Sequence, residues 1–596
     1  WVWTEGPGGE MAEFEITHVF GHDPLQQYLI PFPGGRLQTL NLAWDRVERR
    51  WFGMYPDQRI PPDDWLHWTR NAQNWNGMCA ECHSTDLRKN YDPETETYAT
   101  TWSDIDVGCE ACHGPGSGHV AWAGIPPMAR PDLANTGLVV ATRDLDGPRL
   151  VELCAPCHSR RAELGDYDHT GGPLLDHMLP SLLREGLYEA DGQILDEVYV
   201  YGSFLQSKMH ARGVRCSDCH DSHSLQLVRD GNALCLQCHE GAAYDTAEHH
   251  FHKKIHEGEP SDGALCVKCH MVERPYMVID WRADHSFRVP RPDLTAELRT
   301  RDACSDCHAD KPLQWSIDAF AKWSGAARKP QFGTVLAAAR ALDPAVVPDL
   351  ERLILSPLQP DIVRATALEH LAAYGDTIGR AVLAAAVLGD EPLLRHTAAM
   401  RLAERDPARR AELLAPLLAD PLKAVRMAAT VQLAGIDTTL LKSFQRDALN
   451  RGIAEYVAAN EHSLDFASAR LNLGNLRQQL GDPAAAERDY RLALRIDDLF
   501  LPAKMNLAVM LSGQGRNPEA AQLLRAAAAA YPANADVASS LGLLLAEMGQ
   551  TEEALTLLRR AADADPRGLR VRYNLGLLLQ QAGRLDEAEA VFREAL

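Results

Sequence analysis

Cys-X-X-Cys-His occurs seven times in this chain, and the seven copies use all fourteen of its cysteines. They are CAECH (Cys79, Cys82, His83), CEACH (Cys109, Cys112, His113), CAPCH (Cys154, Cys157, His158), CSDCH (Cys216, Cys219, His220), CLQCH (Cys235, Cys238, His239), CVKCH (Cys266, Cys269, His270) and CSDCH (Cys304, Cys307, His308). Two thiols at this spacing reach the two vinyl groups of one porphyrin while the adjacent histidine falls beneath its iron, which is the attachment signature of c-type haem. The expectation is seven covalent haems, each with two thioether cysteines and one proximal histidine. Zinc would need four ligands drawn from two Cys-X-X-Cys pairs, and it gives no reason for a histidine after every second cysteine. Redox-active dithiols of the thioredoxin kind would not recur seven times.

At 596 residues the chain is too long for one core, and about 150 residues per domain suggests three or four units. The last cysteine is Cys307, so all the haem chemistry lies before about residue 312. Haem is attached covalently on the outer side of the energy-conserving membrane, which predicts a periplasmic or extracellular bacterial protein. No apolar run of about 18 residues is present, so no transmembrane segment is expected. The chain opens at Trp1 without a secretory signal, which reads as a processed or incomplete amino terminus. A net charge of −22 argues against nucleic acid and anionic lipid as partners and favours a basic redox partner or a protein surface.

The fold class expected is mainly α. Residues 1–70 alternate polar and apolar residues in short bursts punctuated by Pro31, Pro33, Gly34 and Gly35, and read as a small β-rich lobe of the haem module. Residues 71–312 form the multihaem domain, rich in Gly, Pro and His and poor in periodic stretches; there the haems supply much of the apolar core and short helices carry the ligands. Beyond Trp315 the composition shifts to Ala, Leu, Arg and Glu with helical periodicity, an α-solenoid of two parts. In residues 313–460, Arg364, Arg395 and Arg426 lie 31 residues apart, as do Leu371, Leu402 and Leu433. The segments IVRATALEHLA, LLRHTAAMRLA and AVRMAATVQLA resemble HEAT-type helical hairpins. In residues 461–596, Leu473, Leu507, Leu541 and Leu575 are 34 residues apart, and so are Gly481, Gly515, Gly549 and Gly583, and Ala486, Ala520, Ala554 and Ala588. This pattern is similar to the tetratricopeptide repeat.

A haem used only for electron transfer takes a second strong axial ligand, whereas an open sixth position permits chemistry. The redox half offers thirteen further histidines. His223, three residues after His220, points away from its own haem toward a neighbour. His119 follows a Gly-Pro-Gly turn that swings it across. His285 and the cluster His249, His250, His252 and His256 supply more, with His250, His252 and His256 the preferred members. His67 and His210 complete the distal candidates. His18, His22, His169 and His177 read as surface or hydrogen-bonded residues, Met271 as packing, and His370, His396 and His462 as ordinary helix residues.

The redox half resembles the multihaem cytochromes related to the tetrahaem electron carrier of ammonia oxidisers and to octahaem hydroxylamine oxidoreductases and tetrathionate or nitrite reductases. The resemblance is carried by NWNGMCAECHST, CEACHGPGSGHVAW, GVRCSDCHDSHSL, LCLQCH with the following HHFH, CVKCHM and DHSFRVPRPD. The chain as a whole resembles bacterial proteins that fuse such a module to tetratricopeptide repeats. That resemblance implies stacked and perpendicular haem pairs, and an eighth haem on a preceding segment or a partner chain.

Two functions follow as expectations. The first is electron transfer along closely spaced haems, with redox partner proteins at a haem edge and the solenoid docking a protein or mediating self-association, up to an extracellular filament. The second is an oxidoreductase acting on a small nitrogen or sulfur compound at one five-coordinate haem, which Tyr199 or Tyr201 could approach, although both read first as core packing; catalytic residues are not assigned by the sequence. All seven motifs end in histidine, so a lysine-ligated haem is not among them.

Overall fold

In a computed structural model, which describes residues 1–325, 327–375, 379–565 and 568–595, the chain is mainly helical, with small sheets concentrated in its first part. Two compact units are present, Trp1–His462 and Ser463–Leu596.

The first unit opens with a hairpin of Val2–Glu5 and Met11–Phe14 and a five-stranded antiparallel sheet. The long strand Leu25–Phe32 is central, pairing with His18–Phe20, Arg36–Thr39 and Leu42–Asp45, and the last pairs with Arg50–Gly53. Strand Leu25–Phe32 turns into Arg36–Thr39 through Gly34 and Gly35, both at positive φ. A Cβ on Gly35 would lie 2.1 Å from the Tyr98 carbonyl oxygen, so only glycine fits there. Leu29 packs with Trp75, Ala80 and Leu87, and Cys79 lies against this cluster. The sheet therefore buttresses the first cysteine motif. Buried Asn76 fixes that junction: its Oδ1 accepts from Leu37 N (2.8 Å) and its Nδ2 donates to Thr100 Oγ1 (2.8 Å) and Gly35 O (3.3 Å).

From residue 71 to 312 the elements are short, mostly single helical turns and two-stranded hairpins. The helices that follow are longer, from Leu313–Ser324 to Ser443–Glu461. The 31-residue step has a structural cause. Arg364 donates to Ile354 O (2.9 Å), Arg395 to Gly389 O (3.0 Å) and Asp390 O (2.7 Å), and Arg426 to Asp420 O (2.9 Å) and Pro421 O (2.8 Å). Each arginine satisfies the carbonyls of the loop or helix end before its own helix.

The change of composition near residue 313 is not a break in the core. Leu182, Leu183, Tyr188, Ile194, Val198 and Tyr276 belong to the same apolar cluster as Leu336, Leu350, Ile362 and Leu368. Arg340 donates to Leu183 O (3.0 Å) and Tyr188 O (3.1 Å), and Leu183 N donates to Thr366 Oγ1 (3.1 Å). Where Gly333 passes Asp191, a Cβ would come within 2.7 Å of the Asp191 backbone.

His462, at the end of helix Ser443–Glu461, is set between two carboxylates of the cysteine-rich region: Nε2 to Glu163 Oε2 at 3.2 Å and Nδ1 to Asp166 Oδ1 at 3.3 Å. Lys89 Nζ also reaches Glu163, at 3.5 Å. Burial by itself would depress His462, but the hydrogen bonds to Asp166 and Glu163 hold its pKa up at about 9. It is thus a charged clamp rather than a plain helix residue.

The second unit is a stack of antiparallel helix pairs from Ala467–Gln479 and Pro483–Ile496 to Leu569–Gln581 and Leu585–Glu594. Gly481, Gly515, Gly549 and Gly583 all adopt φ between 76° and 81° at the turn within a pair. Small residues at the crossings admit the second helix: a Cβ on Gly474 would meet the Tyr490 ring, and one on Gly576 the Phe592 ring. Arg491, Arg525 and Arg559 each pair with a glutamate of the next repeat, Glu519, Glu553 and Glu587. These rungs are solvent-exposed and screened, so each contributes little to stability.

Leu183→Ala removes a fully buried side chain and should cost about 2–5 kcal/mol. A single transition, seen together by a probe of residues 1–312 and by far-ultraviolet circular dichroism of the following helices, should move down. Because folded His462 keeps its proton to about pH 9 while an unfolded histidine releases it near 6.5, the clamp contributes fully below about pH 6.5 and is lost as pH rises through 9. His462→Gln should therefore destabilise by about 2 kcal/mol at pH 6, and denaturation curves of the two proteins should converge near pH 10.

Candidate haem-binding sites

Each cysteine motif is one helical turn. Cys82, Cys112, Cys219, Cys238 and Cys307 donate their backbone N–H to the carbonyl of the first cysteine of the same motif at 3.1–3.3 Å. His113, His239 and His308 donate to that same carbonyl at 2.9–3.0 Å. The third motif closes helix Gly147–His158, which Asp146 caps through Arg149 N (3.0 Å), and the sixth is helix Cys266–His270. This local geometry puts the two sulfurs and the imidazole of a motif on one side of the turn. No disulfide joins any of the cysteines.

Four motif histidines face a second histidine from elsewhere in the chain. The ring centroids are 6.2 Å apart in all four cases: His113 with His223 (6° between planes), His220 with His285 (26°), His270 with His249 (18°) and His308 with His252 (30°). Rings in van der Waals stacking would lie nearer 4 Å. Two metal–imidazole bonds of about 2 Å each, plus the half-widths of two five-membered rings, give about 6 Å, so the pairs fit two axial ligands on one iron.

Second contacts orient these rings. Nδ1 of His270 donates to Arg288 O (2.6 Å), that of His285 to Ala283 O (2.9 Å) and that of His252 to His250 O (2.5 Å). Anchoring Nδ1 leaves Nε2 free to ligate. Burial depresses the pKa of His83, His158, His220, His270 and His285, which favours the neutral imidazole that a metal binds. The residues present fit haem, which would be held by the fourteen cysteine sulfurs and the motif histidines.

Among the distal candidates, His223, His252 and His285 face motif histidines. His250 does not face one: its Nδ1 accepts from His252 N (3.1 Å), and its Nε2 is buried without a hydrogen-bond partner. It orients its neighbour. His119 donates from Nδ1 to Thr136 O (2.9 Å) beside Trp122. Buried His67 bonds Thr69 Oγ1 (2.8 Å), His210 packs edge-on against Phe204 (5.6 Å), and His256 is exposed on the hairpin Ile255–His256/Glu259–Pro260. None of these three faces a motif ring among the described contacts.

His249 was the member of its cluster that sequence reasoning passed over. The available signal was spacing: His249 and His252 are three residues apart on either side of Phe251, which ends the turn in a left-handed conformation, so their rings reach the sixth and seventh motifs separately. His169, read as a surface or hydrogen-bonded residue, is buried and hydrogen-bonded: its Nδ1 donates to Ala111 O within the second motif (3.1 Å) from a backbone at φ 55°.

Other side chains brace neighbouring motifs. Asn232 Oδ1 accepts from Cys266 N (2.9 Å), while its Nδ2 donates to Asp245 Oδ1 (2.9 Å) and Ala264 O (2.9 Å). Arg161 Nη2 lies 3.5 Å from Cys82 Sγ. No helix among the described residues is long and apolar enough to cross a membrane.

Comparison with known proteins agrees with the two kinds of repeat. Residues 209–244 match the family described as a doubled CXXCH motif, and residues 471–535 and 540–596 match the tetratricopeptide repeat. No curated relative matches the chain. Among solved structures, the outer cell wall cytochrome OcwA is similar over 64% of this chain and 86% of its own, at 18% identity and a TM-score of 0.36. MamA (residues 41 to the end) of Desulfovibrio magneticus RS-1 is similar over 26% of this chain and 86% of its own, at 20% identity and a TM-score of 0.23. PilF of Pseudomonas aeruginosa is similar over 29% and 76%, at 23% identity and a TM-score of 0.24.

Asn232→Ala removes three hydrogen bonds, two from the approach to the fifth motif to the start of the sixth and one to Asp245. It should cost about 1–3 kcal/mol in chemical denaturation and leave the number of attached haems unchanged in a pyridine haemochrome assay.

Proposed function

We propose that this is a multihaem c-type cytochrome that carries electrons through seven covalently bound haems. The observation that carries this reading is the four histidine pairs at a common 6.2 Å. Two nitrogen ligands close an iron to substrate and keep its coordination unchanged between oxidation states, as electron transfer requires. His223 would hold the haem of the second motif together with His113, His285 that of the fourth with His220, His249 that of the sixth with His270 and His252 that of the seventh with His308. A porphyrin would supply the redox chemistry when bound; the chain orients the imidazoles that would hold it.

Residues 313–460 are a HEAT-like segment that serves as a structural extension of the haem module. The tetratricopeptide repeats dock a protein partner or a second copy, since stacked helix pairs expose an extended binding surface. The protein works in the periplasm or outside the cell, where covalent haem is attached, and assembly into a filament is the sharper form of the same reading.

A second reading has one local observation in its favour. Beside the first motif, Phe20 packs edge-on to His83 at 5.3 Å. Tyr199 sits near Cys79 and Cys82 at φ 59° with the Arg282 guanidinium over its ring. Such a setting suits an oxidoreductase haem open to a small nitrogen or sulfur compound.

Low-temperature electron paramagnetic resonance separates the two. Electron transfer predicts low-spin signals unchanged by nitrite or hydroxylamine, whereas a high-spin signal that shifts with either would overturn it. His223→Ala should keep seven haems by intact mass and convert one of them to a high-spin form that binds cyanide.

A further inference from the structure

Resting on the haem reading above, we infer that helix Leu313–Ser324 is a brace whose two tryptophans position both axial imidazoles of the seventh haem site. Trp315 acts on His308 directly, and Trp323 acts on His252 through Phe251. Both are positioning residues, and they lie on the first helix after the last cysteine motif.

The brace acts on a backbone that its own sequence disfavours. Phe251 ends helix Ala247–His250 at φ 56°, a left-handed conformation opposed by the Cβ of a bulky residue. Such a residue keeps that conformation only where its surroundings hold it there. Phe251 is 39% exposed, so burial in a core does not supply the hold. The Trp323 ring does: it lies 4.4 Å from the Phe251 ring, centroid to centroid, with 5° between the planes. This is a face-to-face stack between two segments more than seventy residues apart.

His252 depends on that turn. His249 precedes Phe251 and faces His270, whereas His252 follows it and faces His308. The His252 ring has little freedom beyond the turn: its Nδ1 donates to His250 O (2.5 Å), its backbone N–H donates to His250 Nδ1 (3.1 Å), and a Cβ on Gly263 would come 2.3 Å from its Cδ2. His249 has a separate support, the Tyr244 ring, which meets it edge-on at 5.4 Å. The Phe251 conformation therefore sets His252, and Tyr244 steadies His249.

The same helix reaches the other imidazole of the site. Trp315, about 12 Å along the helix from Trp323, has its ring 4.7 Å from that of His308, at 52°. His252 and His308 face each other with 30° between their planes, so one helix governs an angle made by two distant segments. Groups behind a metal ligand tune the metal by fixing the orientation of that ligand. The g values of a low-spin iron follow the angle between its two imidazole planes, and its potential follows the strength of the two bonds.

The test uses the full-length holoprotein, read by low-temperature electron paramagnetic resonance and by redox titration. His252→Ala and His249→Ala, each of which should turn one haem high-spin, assign the low-spin signals of the seventh and sixth haems by their loss. Trp323→Ala and Trp315→Ala should keep the wild-type number of haems by intact mass. Both should shift the g values and midpoint potential of the seventh haem and leave those of the sixth unchanged. Trp323→Phe, which keeps a flat ring against Phe251, should restore the wild-type signal. A seventh signal unmoved in both alanine variants, equal shifts of the sixth and seventh, or no rescue by phenylalanine would overturn the brace while leaving the haem reading intact. Wild-type protein without haem on Cys304 and Cys307 would overturn both. Should Trp323→Ala not fold, Trp323→Leu keeps the apolar volume without the flat ring, and the same shift confined to the seventh haem is expected.

Discussion

An imidazole placed across from a motif histidine, at a distance that admits one iron between them, is the constraint that organises the first unit. A motif by itself closes a single helical turn and fixes one side of a porphyrin. The other side must come from a distant segment, as His223 comes to His113 and His285 to His220. With haem bound as proposed, each pair would act as a long-range cross-link whose strength depends on the metal, in the way that a structural metal couples folding to binding. This accounts for the brevity of the elements between residues 71 and 312. They need only present ligands and satisfy local backbone groups, with turns such as Phe251 and caps such as Asp146 setting direction.

A region built in this way has little apolar core of its own and leans on its neighbours. On one side the N-terminal sheet covers Cys79 through Leu29 and Trp75. On the other, the segment around Leu183 and Tyr188 shares a core with the helices that follow, and His462 draws the end of helix Ser443–Glu461 onto Glu163 and Asp166. The helices that carry no haem thus hold the haem region in shape. The tetratricopeptide unit has a core of its own, from Ala486 to Ala588, and repeats one solution several times, with glycine at each turn and a small residue at each crossing.

Much of this was legible in the sequence because it is local or periodic. The seven motifs announce their chemistry within five residues each. The glycines at Gly481, Gly515, Gly549 and Gly583 mark turns that demand a left-handed backbone, and the arginines at Arg364, Arg395 and Arg426 recur because each answers the same set of carbonyls. His223 was legible for a related reason: three residues from His220 is the wrong distance to serve the same haem. His249 was not, because its cluster offers four histidines within eight positions and only the turn at Phe251 decides which of them face outward to a motif. His462 looked like any histidine near a helix end, since the carboxylates that charge it lie almost three hundred residues away.

The sequence by itself determined the cofactor chemistry, the mainly helical fold class and the period of the solenoid, because each is specified by residues within a turn or a repeat of one another. Tertiary structure alone decided which histidine faces which motif and that the core runs on past residue 313. Those are pairings between segments far apart in the chain, and a one-dimensional pattern carries no term for the loop that brings Cys82 to Pro156 or His113 to His223.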